Sequence, residues 1–439
     1  MNRIFYTIAF SQFLSSLADN ALLIVSIALL VSMQEPDWVS PLLKIFFVVP
    51  YVLFAPFVGA FADSRPKGQV MLISNVLKAC GCSLILFGVH PLLGYGIVGI
   101  GAALYAPAKY GILSELLPPS KLVAANGWME GLIIASIIFG TLFGGFLISD
   151  FLELFFQPFN LKFGNSEISS STTIAIYLIS IIYVAAALLN VPLLKVGFCY
   201  QKLNLHYGNL VREFTACFVG LWRDQLGKLS LTVTTLFWGA GATLQFIMLK
   251  WAEYALHMNL AESAALQAVS AIGVAGGAVY AACKVSLKCS ANVLPYGALM
   301  GLVVCLMGMY SDELLPPIVL LQIYSIQLTL NDLPAYFLLI VLGWLSGYFV
   351  VPMNALLQHR GHALMSTGQS IAVQGFNENL AVLFMLLIYS ILLWVNLSLP
   401  VIIIGFGATV FLAMLLIMYQ HFVENSGSLN TRKQSYEEE

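Results

Sequence analysis

The sequence predicts an all-α integral membrane protein with twelve transmembrane helices in two six-helix bundles. Hydrophobic residues make up 60% of the 439-residue chain and charged residues only 9%, whereas a soluble protein carries about 25% charged residues. A chain this apolar cannot cover a surface that faces water, and its apolar residues form runs long enough to cross a bilayer. The net charge of −2 gives no indication of nucleic acid as a partner.

Twelve apolar runs, each of roughly the 20 residues that a membrane helix needs, are separated by more polar segments. The longest polar segment follows the sixth run and predicts a cytoplasmic linker between the bundles. The runs lie near residues 5–32, 43–62, 70–90, 92–114, 123–148, 172–195, 229–250, 263–286, 292–310, 334–357, 368–395 and 400–421. The predicted domains are an N-terminal bundle at 1–198, the linker at 199–228, a C-terminal bundle at 229–423 and a polar cytoplasmic tail at 424–439.

The distribution of lysine and arginine predicts the orientation in the membrane. If both termini are cytoplasmic, most of the 19 cationic residues fall on cytoplasmic segments, as the positive-inside rule requires. The outer segments at 149–171 and 311–333 are unusually long. The second contains an apolar run, Ile318–Leu328, that is too short to span and favours a short helix lying on the membrane surface.

The two halves carry a similar pattern at the connection after their fourth helix. Pro107 and Lys109 precede the triplet at 125–127, and Pro352 and Asn354 precede the triplet at 368–370. Each half therefore places a proline in the helix, a polar exit, a short loop and a small-amide-small or similar polar triplet. A parallel repeat of six helices is the plan of the major facilitator superfamily.

Ionisable residues inside predicted membrane helices are costly and need a physical reason. Asp19 fits a cavity residue that binds a cationic headgroup or a proton, or a structural pair with a neighbouring helix. Lys78 fits a phosphate ligand, or the cation that neutralises Asp19 or another carboxylate. Glu130 and Glu378 occupy similar places in the two halves, and Glu378 follows Asn377, so a polar lining is predicted there.

The loop after the second run predicts a conformational latch rather than a substrate site. Gly59 leads into Asp63, which is expected to cap the next helix, and Arg65 and Lys67 fit a cytoplasmic surface. Lys109, at the exit of the fourth run, completes the predicted gating residues.

Two patterns that suggest other functions have simpler explanations. Gly94, Gly96 and Gly99 match the dinucleotide-binding pattern GxGxxG, but no strand precedes them, so close helix packing is predicted. His359 and His362 have no third metal ligand nearby in the sequence. We expect no cofactor, no metal and no enzymatic activity.

Several longer segments resemble those of bacterial lysophospholipid transporters, a family within the major facilitator superfamily. The resemblance runs through nearly the whole chain, and such long segments are more specific than a short motif. They are the stretches at 12–23, 53–64, 105–113, 236–241, 350–358 and 371–374.

The resemblance implies a lipid substrate and a protein partner. The family moves lysophosphatidylethanolamine and lysophosphatidylglycerol from the outer to the inner leaflet of the bacterial inner membrane, where an acyltransferase–acyl-ACP synthetase re-acylates them. Membrane lipids surround the protein, and no nucleic acid is involved. The substrate-binding residues expected on this basis and from their polarity are Asp19, Asn20, Lys78, Glu130, Trp238, Gln245, Asn354, Gln374, Asn377 and Glu378.

The chain departs from the family in its seventh helix, where Gln245 stands in place of an arginine. Lys250 follows five residues later, on a different face of the helix, and is not expected to replace that arginine. Two other readings stay open: a proton-coupled major facilitator exporter of drugs or other amphiphiles, with Asp19 as the proton site, and a membrane scaffold that only docks the acyltransferase. For the transporter, Asp19→Asn is expected to impair transport and leave folding intact.

Overall fold

The computed structural model describes residues 3–116, 119–149, 152, 170–195, 207–310, 319–323, 326–365 and 367–437. Ten of the helices in this part of the chain are long and apolar enough to cross a membrane. Each of the twelve predicted runs falls on helix, which confirms the predicted fold class. The helices are α1 (Arg3–Ser32), α2 (Ser40–Leu53), α3 (Ala55–Asp63), α4 (Lys67–Leu86), α5 (Pro91–Leu116), α6 (Pro119–Leu147), α7 (Ser170–Asn190), α8 (Tyr207–Arg223), α9 (Gln225–Leu256), α10 (Leu260–Lys284), α11 (Leu294–Gly308), α12 (Leu333–Leu364), α13 (Thr367–Trp394) and α14 (Leu399–Glu437).

The second predicted run is divided into two helices at Phe54, between α2 and α3. Pro50 lies inside α2, and a proline there removes a backbone donor and crowds the preceding turn. The Phe54 N–H still donates to the Pro50 carbonyl at 3.0 Å, after which the chain starts again as α3. Pro56 lies in the first turn of α3, where a missing N–H costs little.

Two segments predicted as polar connections are largely helical. Within the predicted linker, α8 occupies Tyr207–Arg223. The predicted tail continues the last helix, because α14 runs to Glu437.

The apolar run in the second long outer segment is not a helix, so that prediction is wrong. Strands β1 (Val319–Ile323) and β2 (Ile326–Thr329) pair antiparallel, with Ile323 opposite Ile326 and an irregularity after Val319. The run contains the β-branched residues Ile318, Val319, Ile323 and Ile326, a residue type that favours strands. Pairing the strands satisfies backbone groups that a short apolar segment cannot leave open near lipid.

The chain forms two compact units. The first contains Met1–Gly220, Gly241–Ala268 and Met365–Asn396, and the second contains Leu221–Ala240, Val269–Leu364 and Leu397–Glu439. The boundaries fall within α8, α9 and α10, between α12 and α13, and between α13 and α14. The division into two six-helix bundles stays a prediction.

In the first unit, glycines let helices approach one another closely. A Cβ on Gly140 of α6 would lie 2.5 Å from the Leu17 carbonyl oxygen of α1, and one on Gly144 would lie 2.8 Å from that of Ala21. On α5, a Cβ on Gly94 or Gly99 would overlap α4 or α2. The glycines of the GxGxxG pattern therefore serve helix packing, as predicted.

In the second unit, α10 and α12 pack backbone against backbone. Gly273 and Gly277 of α10 face the α12 backbone, and Gly343 and Gly347 of α12 face the α10 backbone. A Cβ on any of the four would overlap a carbonyl oxygen of the opposite helix. Two small-xxx-small pairs thus face each other, an arrangement that favours close association of membrane helices.

Candidate functional site

The centre of the first unit contains a buried ion pair between Asp19 of α1 and Lys78 of α4. The Lys78 Nζ lies 2.7 Å from the Asp19 Oδ2, and the two residues are 2% and 8% exposed. The Tyr183 hydroxyl of α7 donates to the Asp19 Oδ1 at 2.8 Å. Both carboxylate oxygens therefore have a donor, as a buried charge requires.

Lys78 is held by three helices. Its Nζ also donates to the Ser15 Oγ at 2.9 Å, and Ser15 in turn donates to the Asn75 Oδ1 at 2.7 Å. The ammonium lies 5.6 Å from the ring centre of Tyr105 and 5.9 Å from that of Tyr183, within range of cation–π attraction. Of the two roles that the sequence left open for Lys78, the geometry favours neutralising Asp19.

The polar network extends along α1 beyond the pair. The Tyr95 hydroxyl donates to the Asp19 backbone oxygen at 3.1 Å. One turn before Ser15, Ser11 bonds the Asn190 Oδ1 at 2.9 Å. Sequence reasoning did not identify Tyr95, Tyr183 or Asn190, because each lies in an apolar run without a charge to single it out.

Several predicted substrate-binding side chains carry polar atoms that have no hydrogen-bond partner. In the second unit these are the Trp238 Nε1 and the Asn354 Oδ1, and in the first unit the Gln245 Nε2. Each atom is buried within the part of the chain that the structure describes. Buried polar atoms without a partner call for an explanation, and a polar ligand that meets them is one.

On α13, two hydrogen bonds of the predicted polar cluster lie within the helix itself. The Gln374 Nε2 donates to the Glu378 Oε1 at 2.8 Å, whereas the Asn377 Nδ2 donates to the Val373 carbonyl at 2.8 Å. On α1, Asn20 likewise donates to the Ser16 carbonyl at 2.8 Å. The Glu130 side chain lies outside the described residues.

The predicted latch has one buried cation and one exposed cation. Lys67 is 3% exposed and donates to the Ala62 carbonyl at 2.9 Å, whereas Arg65 is exposed and lies 5.0 Å from the Phe61 ring centre. Lys109 is also buried, and a side chain at Gly59 would meet open space.

The expectation that Asp63 caps the next helix stays a prediction. Asp63 is the last residue of α3, and Pro66 precedes α4 without a side-chain cap. The proline fixes a backbone φ angle that suits a helix start. The Asp63 side chain lies outside the described part.

A second latch, which the sequence did not reveal, joins α9 to α12 in the second unit. Both Arg360 guanidinium donors bond the Asp224 carboxylate, one of them at 2.9 Å. Asp224 also caps α9, because its Oδ2 accepts from the Gly227 N–H at 2.7 Å. The Arg360 hydrogen bonds hold the pKa of the Asp224 carboxyl below its ordinary value.

We expect this latch to stabilise the second unit by about 1 kcal/mol above acidic pH, the usual worth of such a partly exposed pair. Because the folded pKa is depressed, the contribution is complete above the ordinary aspartate pKa of about 4 and is lost as the pH falls through the folded value. Asp224→Asn keeps a capping oxygen and removes only the charge, whereas Asp224→Ala removes both. Unfolding in detergent across pH 3–8 should show the Asn variant approaching wild type only at the acid end. A pH-independent difference would contradict the assignment.

Lys250 lies in a separate ion cluster of the first unit. Its Nζ lies 2.7 Å from the Asp37 Oδ1, just before α2, and 3.0 Å from the Glu253 Oε2. Ser390 of α13 donates to the Trp38 carbonyl at 2.6 Å in the same turn. The segment between α1 and α2 is thus bonded to both α9 and α13. Lys250 does not stand in for the arginine that Gln245 replaces.

The chain matches the Major Facilitator Superfamily model over residues 5–377. Proteins named Lysophospholipid transporter LplT from Escherichia coli O157:H7 and from Shigella sonnei (strain Ss046) are 41% and 42% identical to it over 405 residues, which is 92% of each chain.

Solved structures show the same fold at low sequence identity. The nucleoside transporter NupG has a TM-score of 0.66 at 10% identity and covers 94% of this chain and 100% of its own. An inward-facing bacterial homologue of the human lysosomal transporter Spinster has a TM-score of 0.60 at 13% identity and covers 96% and 93%. With the superfamily match and the close relatives, these findings establish that the chain belongs to the LplT family of the Major Facilitator Superfamily.

Proposed function

We propose that the protein transports lysophospholipids, chiefly lysophosphatidylethanolamine and lysophosphatidylglycerol, from the outer to the inner leaflet of a bacterial inner membrane. The observation that carries the proposal is the identity of 41–42% over 92% of the chain to proteins named Lysophospholipid transporter LplT. In the inner leaflet, an acyltransferase–acyl-ACP synthetase re-acylates the product. Both termini face the cytoplasm, in accord with the cationic residues of the connecting segments.

The ion pair at the centre of the first unit suits a zwitterionic substrate. An ethanolamine ammonium can compete with Lys78 for Asp19, so arrival of the headgroup can loosen the contact between α1 and α4. In the same unit, the Gln245 side chain offers a further polar atom to a headgroup. Transport then proceeds by alternating access, the mechanism of the fold.

The proton-coupled exporter is the second candidate function. A proton site needs a carboxylate that exchanges its proton during the cycle, and Asp19 already has a cation at 2.7 Å. Lys78 neutralises the negative charge of Asp19, which is the role that a bound proton would have in a proton-coupled transporter. We therefore favour transport that does not depend on a proton gradient.

Uptake of labelled lysophosphatidylethanolamine tests both readings. Spheroplasts that express the acyltransferase, with or without this chain, receive the lipid in the presence or absence of a protonophore. We expect conversion to diacyl lipid only when this chain is present, and no effect of the protonophore. If the protonophore abolishes uptake, the proton-coupled exporter is favoured. If conversion to diacyl lipid is the same without this chain, the protein is not the lysophospholipid transporter, and the scaffold reading remains.

A further inference from the structure

Lys44 of α2 is a cation without an ionic partner. Its side chain is partly buried, and within the described ranges it has neither a hydrogen-bond acceptor nor an ion pair. Its contact is with the ring of Phe47, whose centre lies 5.1 Å from the ammonium. Cation–π attraction of this kind is weaker than a salt bridge with a desolvated anion, so the charge of Lys44 is incompletely satisfied.

Four other cations of the membrane helices differ from Lys44 in this respect. Lys78, Lys250 and Arg360 each bond a carboxylate, and Lys67 bonds a carbonyl. A lone ammonium in a membrane segment is expensive. Its presence therefore points to an anion that the residues described by the structure do not supply.

The side chain belongs to the face of α2 that packs inside the first unit. Lys44 and Phe47 are three residues apart and so lie on one face of the helix. Phe47 stacks on Tyr95 with ring centres 4.9 Å apart, and the Tyr95 hydroxyl bonds the Asp19 backbone. Asp19 is close enough to act electrostatically on Lys44, but its carboxylate is already occupied by Lys78 and Tyr183.

The position along the helix also suits a headgroup. Lys44 lies one turn into α2, whose first residue is Ser40, so its Cα is about 6 Å along the axis from the helix start. By the predicted orientation this is the outer end of the helix, where a lysophospholipid of the outer leaflet arrives.

We propose that Lys44 binds the phosphate of the transported lysophospholipid. The inference rests on the proposed function and moves the phosphate contact from Lys78, where the sequence placed it as one option, to Lys44. The ammonium meets a phosphodiester oxygen, while the lipid's own ammonium is left to face Asp19. Lys78 keeps its structural partner until the headgroup displaces it.

The test compares two lipids in wild type and three variants. The lipids are lysophosphatidylethanolamine and the same molecule with its phosphate methylated, which removes the negative charge. Lys44→Gln removes the cation, Lys44→Arg keeps it, and Lys284→Gln is a matched control at the exposed end of α10. Apparent KM and maximal rate are measured for each, and thermal unfolding in detergent checks folding.

Wild type should prefer the charged lipid by about tenfold or more, the usual worth of a hydrogen bond to a charged group. Lys44→Gln should raise the KM for the charged lipid and lose this preference, whereas Lys44→Arg and Lys284→Gln keep it. If Lys44→Gln folds and still discriminates as wild type does, Lys44 only extends to the bilayer surface and the proposal is wrong. If wild type transports neither lipid, the proposed function fails first.

Discussion

Asp19→Asn should both abolish transport and destabilise the first unit. Replacing the carboxylate by a neutral amide leaves the Lys78 ammonium, which is 2% exposed, with the Ser15 hydroxyl as an acceptor but without its negatively charged partner. Breaking a buried pair by removing one partner typically costs about 3–5 kcal/mol. The sequence alone predicted loss of transport with intact folding, and the observed pairing with Lys78 adds the folding cost.

A double variant separates the two effects. Asp19→Asn combined with Lys78→Gln removes both charges, so stability should recover most of what the single variant loses. Transport should stay lost, because the headgroup has no charge pair to exchange with. Thermal unfolding in detergent and lysophosphatidylethanolamine uptake give the two readouts. A double variant that transports normally would show that the pair is purely structural.

The helices were predictable because the length of an apolar run is a direct requirement of the bilayer. The break at Phe54 lies two residues before Pro56, whose missing N–H and ring disfavour an uninterrupted helix, and that proline is visible in the sequence. The hairpin at Val319–Thr329 was missed because an eleven-residue apolar stretch carries no period that separates helix from strand. Its structure depends on which backbone groups pair, and that is a tertiary property.

The sequence predicted the two charged residues of the candidate site, but it did not predict which side chains they contact. Asp19 and Lys78 stood out because charge is rare in these runs, yet they are 59 residues apart and the register of α1 against α4 decides whether they meet. In the sequence, Tyr183 is one aromatic residue among many in an apolar run. Only the structure shows that its hydroxyl donates a hydrogen bond to Asp19. Lys44 was assigned only to the outer side, because its lack of an anion becomes visible only when its neighbours are known.

Gly343→Ala should strongly destabilise the second unit although it adds a single methyl group. The new Cβ would overlap the Ser270 carbonyl oxygen and lie 3.0 Å from the Val274 nitrogen. These atoms are backbone and cannot rotate away, so α10 and α12 must separate. Overpacking typically costs about 1–3 kcal/mol. Because the contacts along the whole helix pair are also lost, we expect this variant to lose at least the upper value of that range in unfolding free energy.

Gly405→Ala is the matched control, because a Cβ on that glycine of α14 meets nothing within 4 Å. Alanine is a better helix former than glycine, so the control should be neutral or slightly stabilising. The yield of folded protein and thermal unfolding in detergent compare the two variants. If both behave alike, α10 and α12 do not pack through their glycines. If only Gly343→Ala fails, the requirement at that position is steric, since helix propensity favours alanine at both sites.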